Sequence, residues 1–176
     1  MRIITGKYGR RFFKSSHGHK THPMSEKIKG ALFNSLGDIE DLTVLDAFAG
    51  SGALSFESIS RGAKLAVAVD NDRLAQKTIG ENIIELGLEG KVKLVHASAS
   101  AWMSTTDEKF DVVICDPPYQ DPQLSLIQRI AIRVKVGGVL VVSLPMSATL
   151  ELNDTFQLLS FKNHGEATLA FYRRLR

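Results

Sequence analysis

Residues 43–62 read Thr43-Val44-Leu45-Asp46-Ala47-Phe48-Ala49-Gly50-Ser51-Gly52-Ala53-Leu54-Ser55-Phe56-Glu57-Ser58-Ile59-Ser60-Arg61-Gly62. The apolar start, Thr43 to Ala47, has the length and character of a buried strand. Gly52 to Arg61 has a helical pattern, with Gly62 as its stop. Between them Gly50 and Gly52 let the backbone turn tightly and approach a ligand closely. Asp46 ends the strand, where its carboxylate can meet a cationic or amino-bearing ligand. The third glycine of a dinucleotide fingerprint is absent, because Ser55 stands at its place. Alone, a glycine pattern is weak evidence; placed at a strand–turn–helix junction, it points to a nucleoside-binding fold.

Downstream the alternation continues. Strands are expected at Leu65–Val69, Val92–His96, Val112–Cys115 and Val139–Leu144. Helices are expected at Arg73–Leu86, Ala99–Met103 and Pro122–Val134, and Gly137-Gly138 reads as the turn into the fifth strand. Phe156–Lys162 and Thr168–Arg173 read as a closing strand pair around Asn163 to Glu166. Near-continuous apolar strands joined by helical crossovers predict an α/β chain whose mostly parallel sheet is covered on both faces. Ligands in such sheets sit beyond the carboxyl ends of the strands. The ends of the first four strands should therefore share one crevice.

Two of those ends carry further candidates. Asp70, twenty residues after Gly50, is placed to accept hydrogen bonds from ribose hydroxyls, with Asn71 beside it. It competes with Asp72 and with the reading of a plain polar turn. Ser98 follows the third strand within reach of an adenine edge, or is simply a loop serine. A nicotinamide dinucleotide and S-adenosylmethionine are the two cofactors this pattern suits.

The fourth strand ends in Asp116-Pro117-Pro118-Tyr119. Two prolines have no N–H for a sheet, so the strand stops there. The corner offers a carboxylate, free carbonyls and an aromatic ring. It suits an amine that donates its hydrogens while its ring lies on a π-face; a plain turn is the competing reading. With the missing third glycine, it favours S-adenosylmethionine. Cys115 should point away from Asp116 and act as a small buried hydrophobe.

Upstream, Arg2–Thr5 and Arg10–Lys14 form a predicted hairpin around Gly6-Lys7-Tyr8-Gly9. Pro23 opens a helical pattern with Ser25 as N-cap and Gly37 as stop. Residues 1–29 hold eight Lys or Arg against Glu26 alone, a charge of +7; the net charge of +3 leaves −4 for the rest. Such an arm suits a polyanion, and nucleic acid above others; a solvated tail is the alternative. The candidate contacts are Arg2, Lys7, Arg10, Arg11, Lys14, His22, Lys27 and Lys29. His17, His19 and His22 have no clustered partner ligands, so no metal is expected. One cysteine and no apolar leader or membrane-length run make a cytoplasmic protein without a membrane partner the expectation.

The chain resembles the RsmD-like family of 16S ribosomal RNA guanine-N2 methyltransferases, within the class I S-adenosylmethionine-dependent methyltransferases. The resemblance rests on Arg2-Ile3-Ile4-Thr5-Gly6, Ala31-Leu32-Phe33-Asn34, Phe48 to Leu54, Ser60-Arg61-Gly62-Ala63 and Asp116-Pro117-Pro118-Tyr119. It implies a Rossmann-like, seven-stranded sheet with an antiparallel last strand, preceded by a hairpin and helix. Residues 1–37 would form an RNA-contacting extension and 38–176 the methyltransferase domain. Asp46, Phe48, Gly50 and Gly52 would line the methionine part of the cofactor. Asp70 and Asn71 would face the ribose, Ser98 the adenine. Asp116, Pro117 and Tyr119 would be catalytic, with Asp116 also near the cofactor. The implied substrate is 16S rRNA, free or within a 30S particle, methylated by a monomer. An adenine-N6 methyltransferase, a nicotinamide enzyme and a silent RNA-binding module of this fold are the rivals. The family's Arg-Pro-Thr segment and following Arg are replaced here by His22-Pro23-Met24 and Lys29.

Overall fold

A computed structural model describes residues 1–15, 24–165 and 167–176; His22 and Pro23 lie outside the described residues. The chain runs α1 (Glu26–Leu36), β1 (Thr43–Asp46), α2 (Ala53–Ser60), β2 (Leu65–Asp70), α3 (Arg73–Leu86), β3 (Val92–His96), α4 (Ala99–Met103), β4 (Phe110–Cys115), α5 (Leu124–Ile130), β5 (Val134–Pro145), β6 (Phe156–His164) and β7 (Ala167–Arg174). The seven strands form one sheet in the order β3-β2-β1-β4-β5-β7-β6. Strands β1 to β5 pair in parallel, and β7 is antiparallel to both β5 and β6.

Capping residues set the helix bounds. Ser25 accepts from the Ile28 N–H, Asp72 from Ala75 and Ser98 from Ala101, while Gly37 and Gly87 take positive φ at helix ends. The last expected crossover helix is shorter than its apolar pattern: Gln123 enters at φ 48°, and Ala131–Arg133 tightens into a 3-10 turn. Gly137-Gly138 also departs from expectation. It lies inside a longer β5, where the pairing with β4 jumps from Phe110↔Val134 to Val112↔Val139. A side chain at Gly138 would meet the Asp111 carbonyl at 2.6 Å, so the irregular stretch needs glycine there.

Alternate strand residues feed two cores. Val44, Ala66, Ala68, Val112 and Ile114 pack with Phe56, Ile59, Ile79 and Ile83 on the α2/α3 face. Leu45, Val67, Val69, Val113 and Cys115 pack with Trp102, Ile127 and Ile130 on the α4/α5 face. Cys115 is buried there, and burial pushes its thiol far above the ordinary range.

The N-terminal hairpin places Arg2 opposite Phe12 and is closed by Ile3 N–H to Arg11 O and Arg10 N–H to Ile3 O. It is fastened to the α2/α3 face. Glu57 of α2 accepts from the Ile4 and Thr5 N–H groups at 2.7 and 3.2 Å. Asn82 of α3 accepts from the Lys14 N–H and donates to its carbonyl. Ile3 and Phe13, with Leu32 and Phe33 of α1, belong to the α2/α3 core. Phe13 meets the Phe56 ring edge-on at 5.2 Å.

Candidate active site

The glycine bend and the proline corner share one rim. In the parallel register Asp46 lies opposite Ile114, and the Ala47 N–H donates to the Ile114 carbonyl at 3.0 Å. Asp116, two residues beyond Ile114, therefore comes out on the same face as Asp46. Asp70 ends β2, the strand on the other side of β1.

Asp46 is fully buried. Its Oδ2 accepts from the Ser55 N–H at 3.1 Å and the Ser55 hydroxyl at 2.8 Å, while its buried Oδ1 has no partner. Burial raises its pKa to about 7, against the Ser55 hydrogen bonds and with help from the charges of Asp116 and Asp70. Ser55, which stands where the dinucleotide fingerprint has glycine, is thus the partner that holds this carboxylate. Nearby, Gly50 (φ 54°) would carry a Cβ into open space, with only the Phe48 carbonyl 4.0 Å away. Gly52 differs: its φ is 79°, and a Cβ would strike the Phe56 ring at 2.7 Å, so here the helix core forbids a side chain. A buried acceptor with nothing to accept, beside an open glycine bend, fits a ligand bearing a cationic amine.

Asp70 tightens the bend. One carboxylate oxygen accepts from the Gly50 N–H at 2.7 Å, the other from the Asp72 N–H at 2.8 Å. It is half-buried, and that burial raises its pKa. Asn71 is exposed, Phe48 is half-buried against the α4/α5 core, and the Ser98 hydroxyl oxygen accepts the Ala101 N–H as the cap of α4, which leaves its proton to donate. His96 sits exposed on the rim beside Gln76, and Trp102 is core.

At the proline corner Asp116 is half-buried, and its burial raises the pKa to about 6 against a hydrogen bond from Ser143. The Ser143 Oγ also lies 2.8 Å from the Tyr119 hydroxyl. An ionised carboxylate only accepts, so Ser143 donates to Asp116 and accepts from Tyr119. Ser143 is completely buried on β5 and ties ring and carboxylate together. Sequence reasoning missed it; its signal is a lone hydroxyl inside the run Val141-Val142-Ser143-Leu144. Among the described residues no cluster of side chains suits a metal ion, and no helix is long and apolar enough to cross a membrane.

The expected RNA contacts divide. Lys29 is corrected outright: its side chain is 1% exposed, with Nζ 2.8 Å from the Arg2 carbonyl and 3.6 Å from the fully buried Glu57. Its amphipathic spacing hid this, since Lys29 follows the core-facing pattern only through its stem. Arg2 pairs with Glu26 at 2.5 Å. Arg11 donates to the last carbonyls of α3, Glu85 and Leu86. Lys14 faces Glu81 and Glu85. Lys7, Arg10 and Lys27 are exposed.

Comparison with known proteins agrees with this architecture. The structure superposes on a putative methyltransferase, yhhF, from Escherichia coli with a TM-score of 0.89, 25% identity and 99% and 98% of the two chains covered. A hypothetical protein of Thermus thermophilus gives a TM-score of 0.84 at 27% identity, covering 98% and 99%. In sequence, the chain is 32% identical to the putative rRNA methyltransferase YlbH of Bacillus subtilis over 72% of its length and 71% of that protein's. It is 31% identical to ribosomal RNA small subunit methyltransferase D of Escherichia coli over 68% of its length, which spans 61% of that enzyme. The model of the family described as "Conserved hypothetical protein 95" matches residues 1–173. The chain belongs to that family, the RsmD-like methyltransferases its sequence resembles.

Proposed function

We propose that this protein transfers a methyl group from S-adenosylmethionine to the exocyclic N2 amine of a guanine in small-subunit ribosomal RNA. The observation that carries the reading is the pairing of Asp46 and Asp116 on one face and one rim, one beside an open glycine bend and the other at the proline corner. Relatives named as ribosomal RNA methyltransferases support the substrate class; guanine N2 rests on the family resemblance.

Asp46 would hold the amino acid end of the cofactor through its unpartnered Oδ1, with Gly50 letting the chain approach. Asp70 and Asn71 would face the ribose, and Ser98 the adenine. When bound, the cofactor supplies a methyl group activated by a sulfonium. Asp116 and the Pro117 carbonyl accept the two N–H bonds of the target amine. That draws its lone pair out of conjugation with the base. Tyr119, its hydroxyl anchored on Ser143, presents a ring on which the base stacks, a contact worth about 1–3 kcal/mol. Fixed placement of the reacting atoms supplies much of the acceleration. The proton released by the amine passes to Asp116, whose raised pKa suits it to take one near neutrality. Residues 1–37 serve as the RNA-contacting extension of the domain formed by 38–176, with Lys7, Arg10 and Lys27 as exposed cations that make no ion pair among the described residues.

The test is methyl transfer from tritiated cofactor to 16S rRNA and to 30S particles, followed by nucleoside analysis. N2-methylguanosine is the expected product; N6-methyladenosine would reassign the base, and no transfer to either substrate would overturn the reading.

A further inference from the structure

The hairpin turn carries a second cationic site, away from the catalytic rim. The Tyr8 ring has three cations around it: Lys7 Nζ at 5.9 Å, the Arg11 guanidinium at 5.9 Å and Lys91 Nζ at 5.8 Å from its centroid. Lys7 and Arg11 come from the hairpin, but Lys91 belongs to the body, one residue before β3. Arg11 is held in place by the α3 carbonyls. Lys7 and Lys91 make no ion pair among the described residues. Tyr8 is half-buried against the α2/α3 core; a cation near a ring open to water gains only about 0.5–1 kcal/mol, and three like charges at one ring repel one another.

Three elements place this cluster at the far rim. Lys91 precedes β3, whose other end, His96, lies opposite Asp70 in the register. The five residues of β3 put about 16 Å between the two rims. The Lys7 and Tyr8 N–H groups bond Ser60, the last residue of α2, and α2 begins at the glycine bend. Arg11 caps the C-terminal end of α3, whose first turn follows Asp70.

We propose that Lys7, Arg11 and Lys91 around Tyr8 form a backbone-phosphate site for structured RNA, so that the substrate is held at both rims at once. Resting on the proposed function, this narrows its substrate class. The rim-to-rim distance of about 16 Å is the component along the strands; the proline corner also lies three strand spacings across the sheet, about 14 Å, so the span is about 21 Å, or about six phosphates at about 3.4 Å of duplex axis each. A mononucleotide or a flipped base alone cannot bridge it. Phosphate contacts of this kind position the nucleic acid without reading its sequence.

The test is filter binding of a 16S rRNA transcript over a range of KCl concentrations. The variants are Lys7→Glu/Lys91→Glu and, as a control, Lys109→Glu. Lys109 is exposed on the same rim, three strand spacings away at β4. Calorimetry with S-adenosylmethionine checks that each variant keeps its fold and cofactor site. The double variant should bind at least tenfold more weakly than the control at about 100 mM salt. Its log–log salt slope should be shallower by about one to two, since each lost phosphate contact removes about 0.9. An affinity and slope equal to the control's would overturn the proposal. Methyl transfer by the unaltered protein is measured on the same transcript. Its absence would count against the proposed function, while the binding comparison still decides the site.

Discussion

Replacing Asp46 by Asn should stabilise the unliganded protein much more at pH 8 than at pH 5. The carboxylate is fully buried and its pKa is raised from 3.8 to about 7. The folded state therefore holds this proton more tightly than the unfolded chain does. The resulting stability is complete below pH 4 and is lost as pH rises through about 7. At 1.36 kcal/mol per pKa unit, ionised Asp46 costs the fold up to about 4 kcal/mol above that range. About 3 kcal/mol of this appears between pH 5 and pH 8. Asn keeps the acceptor for Ser55 and resembles the protonated acid in shape, so the two proteins should be nearly equal only below pH 4; at pH 5 the unfolded chain is already ionised and the variant should lead by about 1–2 kcal/mol. At pH 8 the lead should reach about 4 kcal/mol, so it grows by about 3 kcal/mol between the two pH values, or about 6–12 °C in melting temperature for a chain of this size. The assay is thermal unfolding of both proteins at the two pH values, compared as a difference. Asp116 titrates in both and cancels to first order. An equal difference at pH 5 and pH 8 would refute the reasoning. The same substitution should weaken S-adenosylmethionine binding about 10- to 100-fold, the usual worth of a hydrogen bond to a charged group.

Other outcomes follow from the same geometry. Asp116→Ala should reduce methyl transfer by at least a hundredfold while calorimetry shows nearly unchanged cofactor binding; the intact enzyme's kcat should rise with pH through about 6 and then level, because the acceptor must be ionised. Ser143→Ala removes the hydrogen bond that lowers the Asp116 pKa, so the acidic limb of that profile should move to higher pH, whereas a purely structural loss would leave its midpoint in place. Glu57→Gln leaves Lys29 buried without its countercharge and should cost about 3–5 kcal/mol in denaturant unfolding, with the hairpin amides exchanging fastest. Gly52→Ala should destabilise the protein more than Gly50→Ala in thermal unfolding, since only the former drives a methyl into Phe56.

The sheet is readable because strand and helix periods alternate cleanly from Thr43 onward and capping side chains stand at the starts of α1, α3 and α4. The two acids and their common rim are readable too, because a parallel sheet sends all its carboxyl ends the same way. Side-chain pairing is not. Lys29 looks like any helix cation until Glu57, twenty-eight residues later, is folded beneath it. Arg11 reads as a loose surface cation until the open end of α3 fixes its guanidinium. Ser143 shows in sequence only as a lone hydroxyl in an apolar run, because its role depends on a corner from the neighbouring strand. Local pattern sets elements; partners separated by tens of residues are set by topology.

Helix α2 has no solvent-facing side, since all eight of its residues are buried. Its hydrophilic side chains each answer to a particular group: Ser55 to Asp46, Glu57 to the hairpin amides, Ser58 to the Leu54 carbonyl and Ser60 to Thr5 and Tyr8. Evolution therefore has no idle position there on which to drift. A saturation scan should show intolerance running unbroken from Ala53 to Ser60 rather than the every-third-residue rhythm of an ordinary amphipathic helix, and the glycine bend and the N-terminal hairpin should fail together.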